Sequence, residues 1–228
     1  LPARSGDLEF TVLGKRLSSA LGVNALTNDV MRTLGLLDGD AFTNAAALLA
    51  DENAFSGIDM AKFGADHDTI LDRETVKGVS VIAQFDRAIA FFERYCEYEA
   101  IEGADRVSVE RIPKKAFREA IANALAHRTW DVDACVRISL SDDDAEIVSP
   151  GGLVPGMTKE AYLEGRFSLL RNPVLAESMF RAGLIEKFGT GVRRIRRAYE
   201  GTGSSPSFEV GDGYISVKLP FVDRRCAL

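Results

Sequence analysis

No stretch of the chain offers the roughly 20 uninterrupted apolar residues that a membrane-spanning helix needs, and the first residues show no basic start followed by an apolar segment. Neither a bilayer span nor an export signal is expected, and a cytoplasmic location is. Cysteine is scarce: Cys96, Cys135 and Cys226 are widely spaced and odd in number, which argues against a disulfide framework and against paired zinc ligands. Excess positive charge is also missing. With a net charge of −6 at pH 7, the chain is not a globally basic nucleic-acid binder, so any contact with DNA needs a local patch or another domain. There is no Gly-rich loop ending in Lys-Ser/Thr, which speaks against the phosphate loop of a translocating motor. Internal repeats and low-complexity segments are absent too. What is present is apolar mass: 46% of 228 residues are hydrophobic, enough for one large core or two modest ones.

The hydrophobic pattern divides the chain into two parts. Over residues 8–50, Leu8, Val12, Leu13, Leu17 and Leu21 recur at helical spacing, as do Val30, Leu34 and Leu37, so residues 1–55 are expected to form a small helical region or linker. Residues 56–228 are expected to form a second domain. It opens with a hairpin over 56–77, followed by an amphipathic helix over 79–97 carrying Val81, Ile82, Phe85, Ile89, Phe92 and Cys96. A strand over 107–112 leads through Pro113 into a helix reaching about His127. Strands over 135–140 and 145–149 flank an acidic turn. Short helices are expected near 158–163, from Asn172-Pro173 to Arg181, and after Gly189-Thr-Gly191, and a last hairpin surrounds Gly211-Asp-Gly213. The order predicts an α+β fold with helices on one face of a mixed, mainly antiparallel sheet.

Three places can carry chemistry. The first is the alanine-rich helix over 117–128, where Glu119, Asn123 and His127 stand four residues apart and so share one helix face, with Phe117, Ala120, Ile121, Ala124 and Leu125 expected largely on the other side. Asn123 and Glu119 can hold a hydrated Mg²⁺, which prefers oxygen ligands, or Glu119 can orient a water. Equally, Asn123 and His127 can satisfy backbone groups between packed elements. The second is Ser149-Pro-Gly-Gly-Leu153, where paired glycines either permit close approach to a ligand or simply make a turn. The third is Gly189-Thr-Gly191 at a helix start, suited to an anion or, with Thr190 as cap, to a plain helix entry. The basic run Arg193-Arg-Ile-Arg-Arg197 can meet phosphate, but a solvated face is the expectation. His67, between Asp66 and Asp68, is assigned no role.

The order of these motifs resembles that of the GHKL ATPases, which share the Bergerat nucleotide-binding fold. Glu119-Ala-Ile-Ala-Asn-Ala-Leu-Ala-His-Arg128, Glu146-Ile-Val-Ser-Pro-Gly-Gly-Leu153, Arg171-Asn-Pro173 and Gly183-Leu-Ile-Glu-Lys-Phe-Gly-Thr-Gly191 resemble successive motifs of one family. It is a family of prokaryotic transcriptional regulators with a helicase-related label, whose C-terminal part is a divergent GHKL-like ATPase domain. The resemblance covers about residues 70–220. It implies an AlbA-like, Schlafen-type DNA-binding domain ahead of this chain, whose end Arg4-Ser-Gly6 resembles, so that DNA is a partner through a domain this chain does not contain. It also implies ATP and Mg²⁺ as cofactors, with Asn123 as metal ligand and Glu119 as the acid that activates water. Gly151 and Gly152 would then face the adenine end, Gly189, Thr190 and Gly191 the phosphates, and residues 155–187 would act as a lid.

One departure weighs against tight binding. GHKL ATPases carry an Asp in the first glycine box to receive the adenine amino group, and here Ser149 or Pro150 stands there. Losing a charged acceptor costs roughly 1.5–3 kcal/mol, or about tenfold to a hundredfold in affinity. Two readings follow: an ATP-binding regulatory domain with weak hydrolysis left open, or a degenerate scaffold without nucleotide that serves dimerisation or partner recognition. A homo-oligomer is expected in either case. No histidine sits on a separate dimerisation helix as a phosphoacceptor would, so a histidine kinase is not indicated.

Overall fold

In this computed structural model the described residues are 8–22, 25–66, 68–167, 169–186 and 191–222. A six-stranded sheet runs in the order β4-β3-β7-β8-β10-β9. Its strands are β3 (Ile58–Phe63), β4 (Ile70–Val76), β7 (Val136–Leu140), β8 (Asp144–Pro150), β9 (Ser207–Val210) and β10 (Tyr214–Pro220). Only β3 and β7 pair in parallel, and every other pair is antiparallel. The sheet is therefore mixed and mainly antiparallel, as the sequence order predicts. Period-two alternation sets its faces. Ile58, Met60, Val136, Ile138, Leu140, Ala145 and Ile147 are buried on one side, while the other carries polar pairs such as Asp59 with Arg73 and Ser216 with Glu146.

Helices cover the apolar side. α4 (Val81–Cys96) starts on Ser80, whose hydroxyl accepts from the Ile82 amide, and it buries Phe85, Phe91 and Phe92. Beside it lies α5 (Lys114–His127), whose Phe117 stacks on Phe92 with ring centroids 4.4 Å apart. Buried alanines at 116, 120, 122, 124 and 126 leave α5 slim, so it can sit against β8 and be flanked by α4, α7 (Pro173–Arg181) and α8 (Gly191–Ala198). A short α6 (Lys159–Glu164), capped by Thr158, packs on α8.

The N-terminal part differs in two ways from a purely helical expectation. Between α2 (Asn28–Thr33) and α3 (Asn44–Leu49), residues 37–42 form a two-residue-per-strand hairpin, β1 (Leu37–Asp38) with β2 (Ala41–Phe42), around the Asp38-Gly-Asp40 turn. In addition, α1 (Thr11–Leu21) buries Leu13 and Leu17 in the same continuous core as α4 and α7, so most of its apolar face is used internally. A further difference, outside the N-terminal part, follows α4. Its helix ends at Cys96, and β5 (Glu97–Glu102) pairs with β6 (Asp105–Glu110) as a separate hairpin. Glu97, Tyr98, Glu99 and Ala100 alternate, but β5 follows α4 directly with no glycine or proline to mark the change, which is why the strand is not evident in the sequence.

The C-terminal end of α5 is held by a buried cation. Arg128 is fully enclosed, its guanidinium 4.1 Å from the centroid of Trp130. Its nitrogens donate to Ser56 O at 3.2 Å, Gly57 O at 3.1 Å, Ser56 Oγ at 2.9 Å and also to Ala134 O. Among the described residues no carboxylate is hydrogen-bonded to it. Burial pulls its pKa down to about 10, so it stays charged at neutral pH and binds by carbonyl dipoles. Arg128→Ala would leave these carbonyls without a donor and is expected to destabilise the fold by about 3–5 kcal/mol, measured by urea denaturation. Loss below 1 kcal/mol would mean that the cation is not structural.

Candidate functional site

Between α5, β8, the first turn of α8 and the segment around α6 lies a cavity of about 110 Å³. It gathers residues distant in sequence: Asn123 and His127 from α5, Ser149 from β8, Gly151 and Gly152 just after it, and Gly191 at the start of α8. Gly189 and Thr190 lie outside the described residues, as does His67. Apolar groups complete the wall, among them Ile147, Ile195, Leu169 and Val217. Ala120 and Ala124 also line the cavity instead of turning away from it. The working face of α5 is thus Ala120, Asn123, Ala124 and His127, the i, i+3, i+4, i+7 set of one helical stripe. The spacing of four pointed to a ridge of Glu119, Asn123 and His127, whereas Glu119 stands one step around, outside this cavity.

Glu119 and Asn123 nevertheless touch. The Asn123 amide Nδ2 donates to Glu119 Oε1 at 3.1 Å, which fixes the amide and leaves its Oδ1 without a protein partner among the described residues. The other Glu119 oxygen accepts from Arg194 at 3.3 Å. Gly191 lies directly over this pair: a Cβ there would come within 2.7 Å of Glu119 Oε1 and collide with Asn123 Nδ2. The glycine requirement is therefore explained by protein contact.

The same is true of the glycine pair. A Cβ on Gly151 would lie 2.9 Å from Thr129 Cβ, and one on Gly152 would lie 2.7 Å from Asp212 O. Gly151, with φ of 99°, occupies a backbone region that side chains rarely adopt. Both residues edge the cavity, yet what demands glycine is the chain packed behind them. Ser149 is buried, and its hydroxyl donates to Ala124 O at 3.0 Å, so its oxygen is left to act as an acceptor. Tyr162 adds a phenol whose pKa burial raises to about 12, keeping it a protonated donor. The polar groups of the cavity are thus neutral, and no carboxylate lines it among the described residues.

The Arg171-Asn-Pro173 motif closes the end of α5. Arg171 donates to His127 O at 3.0 Å and Gly152 O at 2.7 Å, while Asn172 Nδ2 donates to Ala126 O at 2.9 Å and Arg128 O at 3.0 Å. Ala126 O and His127 O are among the orphan carbonyls that every helix leaves at its C-terminus, and Gly152 O joins them from just after β8. The motif was visible in the sequence; its target was not. The contacts also divide the expected lid over 155–187. Met157, Tyr162, Gly165, Phe167 and Leu169 cover the cavity, whereas α7 after the motif is core, with Leu175 and Met179 buried.

The arginines of α8 divide likewise. Arg193 and Arg196 donate to Glu164 O at 3.0 Å and Leu163 O at 2.6 Å at the end of α6, and Arg194 ties Glu119 to Glu186. The basic run is therefore not a uniform solvated face. No group of three or more His, Cys, Asp or Glu side chains placed to hold a metal occurs among the described residues. Any Mg²⁺ would rely on the Asn123 and Glu119 oxygens, water and a ligand's own oxygens.

Two measurements check this geometry. Gly191→Ala is expected to destabilise by roughly 1–3 kcal/mol, read in a denaturant titration, because its Cβ displaces the Asn123–Glu119 pair. His127 is held below its ordinary 6.5, first by burial and then by the charge of Arg171. The unfolded chain therefore takes up its proton before the folded one does, and stability falls as pH drops below about 6.5. The melting temperature of His127→Gln should lose part of that slope between pH 6.5 and 5; an unchanged slope would show that His127 is not protected.

Residues 133–219 match the family model described as "Putative ATP-dependent DNA helicase recG C-terminal", which supports a divergent GHKL-like ATPase domain. The match includes β7 to β10 and the glycine motifs but begins after α5. In fold the chain is similar to the crystal structure of the DIP2311 protein from Corynebacterium diphtheriae, with a TM-score of 0.81 and 24% identity over 95% of this chain and 45% of that one. The chain thus spans less than half the length of that protein. No curated protein matches. Together these findings show the α+β architecture of its solved neighbour and a similarity of residues 133–219 to an ATPase-like family.

Proposed function

We propose that this chain is the ATP-binding regulatory domain of a DNA-binding transcriptional regulator, whose DNA contacts are made by a domain ahead of it. The observation that carries the reading is the convergence of Asn123, Ser149, Gly151, Gly152 and Gly191 on one cavity that an ATPase-like sequence region helps to build. The base end of the nucleotide would lie among Ile147, Val217 and Ser149, with the Ser149 oxygen as acceptor for an exocyclic amine. The phosphates would approach the first turn of α8, where free amides favour anions.

Asn123 would offer its Oδ1 to Mg²⁺, and Glu119, already bonded to Asn123, would hold a metal-bound or attacking water. The metal supplies charge neutralisation for phosphate oxygens. Arg194 now neutralises Glu119, so freeing this carboxylate for a metal or a water requires the ion pair to rearrange, and slow turnover is expected. Closure of residues 153–167 over the nucleotide would change the surface seen by a partner domain or by a second copy in a homo-oligomer.

A second reading is favoured by one specific feature. No carboxylate lines the cavity among the described residues, and Gly151 and Gly152 are occupied by the protein's own chain. A scaffold that no longer binds nucleotide and serves dimerisation or partner recognition would have these properties. Calorimetric titration of the full-length protein with a non-hydrolysable ATP analogue and Mg²⁺ separates the two. Binding weaker than in a carboxylate-bearing site, by about tenfold to a hundredfold, and lost on Asn123→Ala, is expected. Absence of heat at millimolar nucleotide would leave the scaffold.

A further inference from the structure

Beside the first cavity is a second of about 550 Å³, on the other side of the Glu119–Asn123 contact. Two helices present cations to it: Lys115 and Arg118, one turn apart on α5, and Arg194 and Arg197, one turn apart on α8. Glu119 and Glu186 are its carboxylates. Four cations less two carboxylates leave two positive charges in excess, in a chain whose net charge is −6. Like charges converging on one space repel unless an anion joins them.

The four are unequally committed. Arg194 spans Glu119 Oε2 at 3.3 Å and Glu186 Oε2 at 2.6 Å, but the Glu186 side chain is 75% exposed, so that bond is solvent-screened. Arg118 places its guanidinium carbon 5.2 Å from the centroid of the Phe85 ring, a cation–π contact made by the charged head itself. Lys115 and Arg197 have no ion-pair partner among the described residues. Arg193 and Arg196, by contrast, are occupied by α6 carbonyls. The α8 arginines thus sort by face: one pair holds the fold, and the other faces the cavity.

We propose that this second cavity is an oxyanion site for phosphate groups, gripped by Lys115, Arg118, Arg194 and Arg197, in which Arg194 exchanges its carboxylates for the anion. Planar guanidinium groups suit this exchange because they bind carboxylate and phosphate by the same two-pronged geometry. A free triphosphate fits the chemistry, and so does the phosphate tail of a nucleotide seated in the first cavity. The second source rests on the nucleotide reading; the site itself does not.

Inorganic tripolyphosphate titrated calorimetrically into the full-length protein at low ionic strength is the test. Binding is expected, weakened tenfold or more in Arg118→Gln/Arg197→Gln and weakened by added salt. Arg197→Gln alone, at an exposed position, should weaken it severalfold and guards against a double variant that fails to fold, which circular dichroism would reveal. Displacement by a non-hydrolysable ATP analogue but not by AMP would identify the nucleotide's own phosphates as occupant. Binding that persists beside saturating analogue would identify a separate phosphate ligand, and binding without any affinity for the analogue would retain the site while removing the nucleotide reading. No binding at millimolar tripolyphosphate, or binding unchanged in the folded variants, overturns the proposal.

Discussion

The closeness of α8 to α5 at Gly191 is the constraint on which the site depends. At this point a helix start rests directly on the amide of Asn123 and the carboxylate of Glu119, with no room for a side chain. The contact seals the space between the two helices in the middle and leaves a cavity on either side. One is narrow, largely apolar and bordered by neutral hydrogen-bonding groups. The other is wide and carries an excess of cations. The Asn123–Glu119 hydrogen bond is common to both, so a ligand that reorients either residue acts on both spaces.

Such a contact needs α5 to be held rigidly, and its C-terminal end shows how. Arg128 reaches the start of β3 through the carbonyls of Ser56 and Gly57, while Arg171 and Asn172 return from the covering segment to the last carbonyls of α5. Thr129 donates its amide to Pro150 O at 3.0 Å, which joins the same point to the end of β8. Helix, sheet and cover are thus tied within a few residues of His127. The cover over 153–167, with Leu169, is anchored at one end by this knot and at the other by β8, and what it closes is the first cavity.

Much of this was legible in the sequence, for physical reasons that differ by element. The hydrophobic periodicity of α4, the alternation in β7 and β8, and the Asn-Pro start of α7 report burial and backbone geometry directly, so they appear where the residues place them. Of the hairpin β5–β6, the second strand overlaps the strand expected over 107–112, whereas β5 was hidden because it follows α4 with no glycine or proline between them. On α5 the polar residues drew attention to a spacing of four, while the stripe that faces the cavity includes alanines, which look inert in a sequence. The glycines at 151, 152 and 191 signalled close approach correctly, but a sequence cannot say whether the approaching group is a ligand or the chain itself. Likewise, the arginine run of α8 could not be divided into fold-holding and cavity-facing pairs until its neighbours, α6 and α5, were known.

The central claim is that the first cavity receives the base of a nucleotide and Asn123 meets its metal. A crystal structure of the full-length protein with a non-hydrolysable ATP analogue and Mg²⁺ tests it most directly. The base is expected beside Ser149 and Ile147, the metal on Asn123 Oδ1, and the Arg194–Glu119 bond broken. A nucleotide bound elsewhere, or a cavity still closed with Arg194 on Glu119 at saturating analogue, would contradict it.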